Sequence, residues 1–153
     1  NNASVLGPRV PLREHDVDAW RHVLDVNLTG TLIPTLAVLP GMREAGRGSI
    51  INVSSGVGNI ARQRWGAYAV SKWGVEAFSK NLALEEEDAG IRVNIVDPGR
   101  LRTEMRREAY PGEDPKKPAP PEDATGVFLW LASDESEGVT GERFRALDWN
   151  GPS

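Results

Sequence analysis

Apolar residues fall at helical spacing along "HDVDAWRHVLDVNLTGTLIPTLAVLPGMREAG", after a loop that holds Pro8 and Pro11. Asp16 is placed to cap a first helix and Gly46 to end a second. Pro34 stands inside this run, where a proline forfeits a hydrogen bond at about 3 kcal/mol. The pattern therefore predicts a kink near Pro34 or a helix that begins close before it. The β-branched run in "SIINVSSG" predicts a buried strand that ends in two serines and a glycine. "WGAYAVSKWGVEAFSKNLALEEEDAG" is the clearest helix, small and apolar in its first half and closed by Gly90, with the acidic residues 85–88 expected to face solvent. "IRVNIVDPG" predicts a second strand and "GERFRALDW" a third. Between them "PEDATGVFLWLAS" reads as a helix whose first residues, Glu122 and Asp123, suit the positive end of its dipole.

Residues 102–121 are charged and proline-rich, a poor core element and a good mobile loop over a substrate. From the first strand onward the order is β-α-β-loop-α-β, which calls for a parallel sheet with right-handed crossovers, covered on both faces. The expectation is one α/β domain over residues 1–153 with about three strands, a thin sheet for a Rossmann-like fold.

Composition narrows the classes of partner. A net charge of −4 with scattered basic residues gives no reason to expect nucleic acid. The absence of cysteine excludes disulfides and thiolate metal sites and fits a reducing cytoplasm. The longest uninterrupted apolar stretch is far short of a membrane span, so no membrane partner is expected. His15 and His22 are the only histidines and read as surface residues, so no metal is expected either.

Four features can carry chemistry. Tyr68 and Lys72, four apart on a predicted helix, share one face. An ammonium near a phenol stabilises the phenolate and brings the hydroxyl toward neutrality, where it can exchange a proton; the same spacing is also that of an ordinary surface pair. Ser54 and Ser55 end a strand, where ligands of open α/β sheets bind, and a hydroxyl there can donate to a substrate oxygen. No glycine stands two residues before either serine, so a nucleophile elbow is excluded. Asn27 lies in a helical stretch although asparagine is a mediocre helix former, and "DPGRLRT" after the second strand can bring backbone close to a ligand.

In order and spacing, "NNAS", "DVNLTG", "SIINVSSG", "YAVSK" and "DPGRLRT" resemble the signatures of the short-chain dehydrogenase/reductase family, classical type, over essentially the whole chain. The resemblance implies an NAD- or NADP-dependent oxidoreductase that moves a hydride between nicotinamide and a small-molecule carbonyl or alcohol substrate. It makes Tyr68 the general acid/base and Lys72 the residue that tunes it and holds the nicotinamide ribose. It also makes Ser55, thirteen residues before Tyr68, the substrate-orienting serine, and Asn27 the asparagine of a proton relay. Pro98, Gly99, Leu101 and Thr103 fall where the family lines the nicotinamide, and Asn1 and Ala3 on the adenosine side. Family dimers pair through the helices that correspond to residues near 25–45 and 67–89, which implies a homo-oligomer.

Two departures qualify this. Ser4 replaces the glycine of "NNAG", and it would be strained if the backbone there required positive φ. The glycine-rich "TGxxxGxG" turn does not occur in these residues, so the resemblance corresponds to the C-terminal part of a Rossmann domain that enters just after its fourth strand. The first strand would then offer an unpaired edge. Two other readings stay open on the residues alone: a non-catalytic remnant that acts as an interaction or dimerisation module, and a nucleotide sensor without turnover.

Overall fold

The computed structural model describes residues 1–152. Three parallel strands, β1 (Gly48–Val53), β2 (Ile91–Asp97) and β3 (Arg143–Arg145), form one sheet in the order β1-β2-β3. The register sets Ile50 against Val93 and Val53 against Val96, so alternate side chains leave by opposite faces. On one face Ile50, Ile91 and Val93 pack with Leu39, Leu82 and Ala83; on the other, Val96 packs with Val127 and Leu131. The expected α/β class and parallel sheet are observed, and burial of both faces explains why the strands are apolar almost throughout.

The helices are α1 (Val17–Leu24), α2 (Gly30–Ala45), α3 (Gly66–Glu85), α4 (Glu104–Ala109) and α5 (Gly126–Ala132). Asp16 caps α1 by accepting from the Ala19 amide at 2.8 Å, and Gly46 ends α2 at φ 63°. A π-helical turn, Asp25–Thr29, joins α1 to α2, so the backbone adapts just ahead of Pro34, which α2 accommodates together with Pro40. The rod Val17–Ala45 is consequently continuous over 29 residues and is long and apolar enough, by length and composition, to cross a membrane. This differs from the expectation of short apolar stretches, because Asn27, Thr31 and Thr35 interrupt the apolar sequence without adding charge or breaking the helix. Those three residues are buried in the fold: Asn27 bonds the Val5 backbone, and Thr35 accepts from the Asn1 side chain.

Several local expectations change. Glu86 does not face solvent with its acidic neighbours; it is buried and takes both of its oxygens to Arg43 at 2.9 Å. His22 is exposed, but the ring nitrogens of His15 are buried against the start of α3, and its ring stands edge-on to Trp20 at 5.4 Å. The third strand is shorter than its sequence run, since the chain turns at Ala146–Asp148 and lays Leu147 on Gly99. Residues 102–121 contain α4 and then double back, so that Leu101 bridges Ala119. Beside the outer edge of β1 runs Asn1, whose nitrogen donates to the Ile51 carbonyl at 2.9 Å and whose carbonyl accepts from the Val53 amide at 3.0 Å.

Candidate active site

The carboxyl ends of β1 and β2, the first turns of α3 and the folded-back segment around α4 enclose a cavity of about 460 Å³. The position follows from the topology, since strands of a parallel sheet end together and leave their ligand crevice at that edge. Ser55, Tyr68, Lys72, Pro98, Gly99, Leu101 and Thr103 all line it. A second hollow of about 560 Å³, bounded by Leu12, Val70 and Trp73, is apolar and brings none of these groups together.

Helical geometry gives Tyr68 and Lys72 a common face, and α3 turns that face inward. Tyr68 is 8% exposed and Lys72 3%, with the Lys72 Nζ 5.7 Å from the centre of the Tyr68 ring. Nζ donates to the Val53 carbonyl at 2.9 Å, which anchors the lysine to the end of β1. Desolvation lowers its ammonium from the ordinary 10.5 to about 8. Burial pushes the Tyr68 hydroxyl up from its ordinary value; the Ser55 and Ser4 hydroxyls pull it down, and the Asp97 carboxylate adds to the rise. The sequence expectation of a phenol brought toward neutrality is therefore not met in this structure, because loss of solvent outweighs the help that Tyr68 receives.

Ser54 and Ser55 separate in role. Ser54 Oγ is buried and donates to Glu76 Oε1 at 2.6 Å, while Ser55 keeps its hydroxyl toward Tyr68. Gly58 is tightly seated beside them: a Cβ there would run into Ser54 Oγ and lie 2.6 Å from Glu76 Oε1 and 3.1 Å from the Ser55 carbonyl. Pro98 and Gly99 follow Asp97, whose Oδ1 accepts from the Gly99 amide at 3.0 Å and so shapes the turn. Thr103 caps α4 by accepting from the Arg106 amide at 3.2 Å.

Three expected residues do not reach the cavity wall. Asn27 is fully buried, and its side chain accepts from the Val5 amide at 2.8 Å and donates to the Val5 carbonyl and Ser71 Oγ, each at 3.0 Å. It clamps the N-terminal segment to α3. Asn1 holds Thr35 and Asn52 at 3.1 and 2.8 Å, and Ala3 is exposed. The backbone at Ser4 does not adopt the positive φ that would have strained a serine there; Arg64 is the one non-glycine residue with positive φ among the described residues.

Further lining residues were not singled out by sequence: Asn2, Trp65, Asp97, Arg106 and Tyr110. Ser4 was flagged only as a departure, yet its buried Oγ faces the Tyr68 hydroxyl without completing a hydrogen bond. Trp65 sits 5.5 Å from the Tyr68 ring, and the Arg9 guanidinium lies over Trp65 at 4.3 Å and over Tyr110 at 4.9 Å. No run of spacing announces the Arg9 contacts, since they join segments about 55 to 100 residues apart.

Comparison with known proteins agrees with this geometry. The short chain dehydrogenase family profile matches residues 1–114. The uncharacterized oxidoreductase YciK of Escherichia coli K12 is 40% identical over 146 residues, 95% of this chain and 58% of its own. The trans-4-hydroxycyclohexanecarboxylate dehydrogenase of Sinomonas cyclohexanicum is 38% identical over 145 residues, 92% of this chain and 55% of its own. The crystal structure of a short chain dehydrogenase from Escherichia coli CFT073, complexed with NADPH, superposes with a TM-score of 0.91 at 41% identity, over 95% of this chain and 60% of that one. The chain thus spans somewhat more than half the length of the relatives it matches. With its parallel sheet, its strand-end cavity and this match over three quarters of its residues, the chain belongs to the short chain dehydrogenase family.

Proposed function

We propose that this chain is the C-terminal part of an oxidoreductase that interconverts a carbonyl and an alcohol with NAD or NADP. The observation that carries the reading is the convergence of Ser55, Tyr68, Lys72 and the turn at 98–103 on one cavity. In this reading Ser55 and Tyr68 hydrogen-bond the substrate oxygen. Ser55 stabilises charge as it develops there, and Tyr68 gives or takes the proton. Lys72 sits one helical turn away and supplies positive charge to the same side of the cavity.

The residues present fit the nicotinamide half of the cofactor. The buried Lys72 amine and the exposed Gly99 backbone stand at the strand ends, as an open α/β sheet requires. Lys72 would hold the ribose, with Pro98, Gly99, Leu101 and Thr103 along the ring. No glycine-rich turn for the pyrophosphate is found in the sequence, which supports a longer protein whose preceding segment supplies that turn. When bound, the nicotinamide donates or accepts the hydride. Asn1 and Ala3 keep their assignment to the adenosine side by family resemblance. Asn27 acts in this reading through the segment it clamps.

Trp65, Met105 and Tyr110 give the substrate side an apolar wall suited to a carbonyl or alcohol on a hydrocarbon frame. Residues 102–121 serve as the lid over it. The outward face of α2 carries exposed Leu32, Ile33, Leu36 and Val38, and α3 exposes Val70 and Trp73; this apolar surface supports homo-oligomerisation through both helices. We place the protein in the cytoplasm, in keeping with a chain that has no cysteine.

The test is the reading frame upstream of Asn1 together with turnover. A strand and a glycine-rich turn encoded there support the proposal. The longer protein should then oxidise NADH or NADPH with carbonyl substrates, and Tyr68→Phe should lower kcat/KM by about 10²–10⁴-fold. Full activity in Tyr68→Phe would overturn it.

A further inference from the structure

Behind the wall that carries Ser55 and Asp97 lies a buried charge cluster that the proton transfer above does not use. Arg143, on β3, donates through Nε to Glu76 Oε1 at 2.9 Å. Its Nη2 donates to Asp97 Oδ2 at 3.1 Å and to the Ser55 carbonyl oxygen at 3.2 Å. These three partners belong to α3, to the end of β2 and to the segment leaving β1. Each adjoins a different part of the site. Glu76 lies one helical turn beyond Lys72 and also accepts from Ser54 Oγ. Asp97 shapes the turn at Gly99, and Ser55 carries the hydroxyl that faces Tyr68.

The cluster is largely buried: the side chains of Glu76 and Asp97 are each 7% exposed and that of Arg143 17%. One guanidinium therefore stands between two buried carboxylates, and a buried carboxylate left without a partner is costly. Asp97 has two neighbours that matter, Arg143 behind it and Tyr68 in front, and its charge opposes ionisation of the phenol. Around Tyr68 the other charged groups are Lys72 on α3 and Arg106 on α4. The segment after β1 contributes the Ser55 hydroxyl; the N-terminal segment contributes the Ser4 hydroxyl and sets the Arg9 guanidinium behind Trp65, 4.3 Å from its ring; and α1 contributes Val23 and Trp20.

We propose that Arg143 is a positioning residue for the Ser55–Tyr68 pair, tying the Ser55 carbonyl to β2 and α3 and cancelling the charge that Asp97 presents to the Tyr68 hydroxyl. The proposal rests on the reading of Tyr68 as the proton-transfer group, but its test does not require turnover. The chain has two tyrosines, so Tyr110→Phe leaves Tyr68 as the single phenol, and its ionisation is read by ultraviolet difference absorbance on the folded chain, with circular dichroism at each pH. In that background Arg143→Met should raise the Tyr68 midpoint by about one pH unit, and Arg143→Lys should restore it. Asp97→Asn alone should move the midpoint the opposite way, and Arg143→Met combined with Asp97→Asn should return it toward the parent. A loosened structure has no reason to produce opposite signs. An unchanged midpoint in a folded Arg143→Met overturns the proposal. Should that variant fail to fold, Asp97→Asn decides: a lowered midpoint supports the proposal, and an unchanged or raised one overturns it. Loss of the acid/base reading would appear separately, as undiminished turnover in Tyr68→Phe of the longer protein.

Discussion

Lys72→Met tests the most unusual charge in the molecule. The lysine is 3% exposed, and desolvation lowers its ammonium from 10.5 to about 8. A base whose folded value lies below its unfolded one binds its proton less readily when folded. Stability therefore rises with pH between about 8 and 10.5, and the penalty is present in full below about 8. At about 1.4 kcal/mol for each tenfold change, the penalty is about 3 kcal/mol. Methionine keeps the length of the side chain and removes the charge, but it abandons the bond from Nζ to the Val53 carbonyl at 2.9 Å. An acceptor left unpaired in the interior costs about 1–3 kcal/mol. At neutral pH the variant should therefore match the parent or exceed it by up to about 2 kcal/mol. The diagnostic quantity is how that difference changes: it should fall by about 3 kcal/mol between pH 7 and about 10.5, as the parent sheds its proton. Denaturant unfolding of both proteins across this window, followed by circular dichroism, measures it, and subtraction cancels the other groups that titrate there. A difference that stays flat or grows with pH would refute a charged, desolvated Lys72. A stabilised variant without turnover would mark the lysine as a residue kept for function against stability.

Ser4→Ala removes a hydroxyl that pulls the Tyr68 proton affinity down, so the phenol midpoint in the Tyr110→Phe background should rise, and an unchanged or lowered midpoint in the ultraviolet titration would contradict that influence. Gly58→Ala drives a methyl group against Glu76 Oε1 at 2.6 Å and the Ser55 carbonyl at 3.1 Å. It should cost about 1–3 kcal/mol in denaturant unfolding, and a neutral result would contradict the tight seating of that turn. Leu36→Glu places a charge in the exposed apolar face of α2 and should convert a dimer to a monomer in sedimentation velocity. A parent chain that already sediments as a monomer would reject the association proposal.

The parts legible in sequence were those governed by local rules. Asp16 and Gly46 mark helix ends through capping and left-handed backbone, and the β-branched runs mark β1 and β2 because both faces of the sheet are buried. Tyr68 and Lys72 were legible because four-residue spacing on a helix fixes a shared face. What stayed hidden depends on partners far along the chain. Glu86 looks solvent-facing among its acidic neighbours until Arg43 arrives from α2, and His15 looks like a surface residue until α3 packs over it. Arg143 gives no signal in "GERFRALDW"; its meaning comes from Glu76 and Asp97, 67 and 46 residues away. The upward push on the Tyr68 hydroxyl stayed hidden for the same reason, since spacing reports a neighbouring ammonium but not how deeply both groups are buried.

The π-helical turn Asp25–Thr29 acts as a phase setter for everything after it. A π turn accommodates one residue more than an α turn, and each α-helical residue advances the side-chain direction by about 100°. Deleting a single residue there would rotate α2 by that angle against α1. Thr31 and Thr35 would swing out of the interior while Leu32 and Leu36 swung into it, and Asn27 would lose Val5 and Ser71. The clamp on the N-terminal segment and the outward apolar face are thus geared to the same extra residue. A substitution in this stretch acts on the contacts of one side chain, as at Asn27, whereas a change of length would desynchronise both at once.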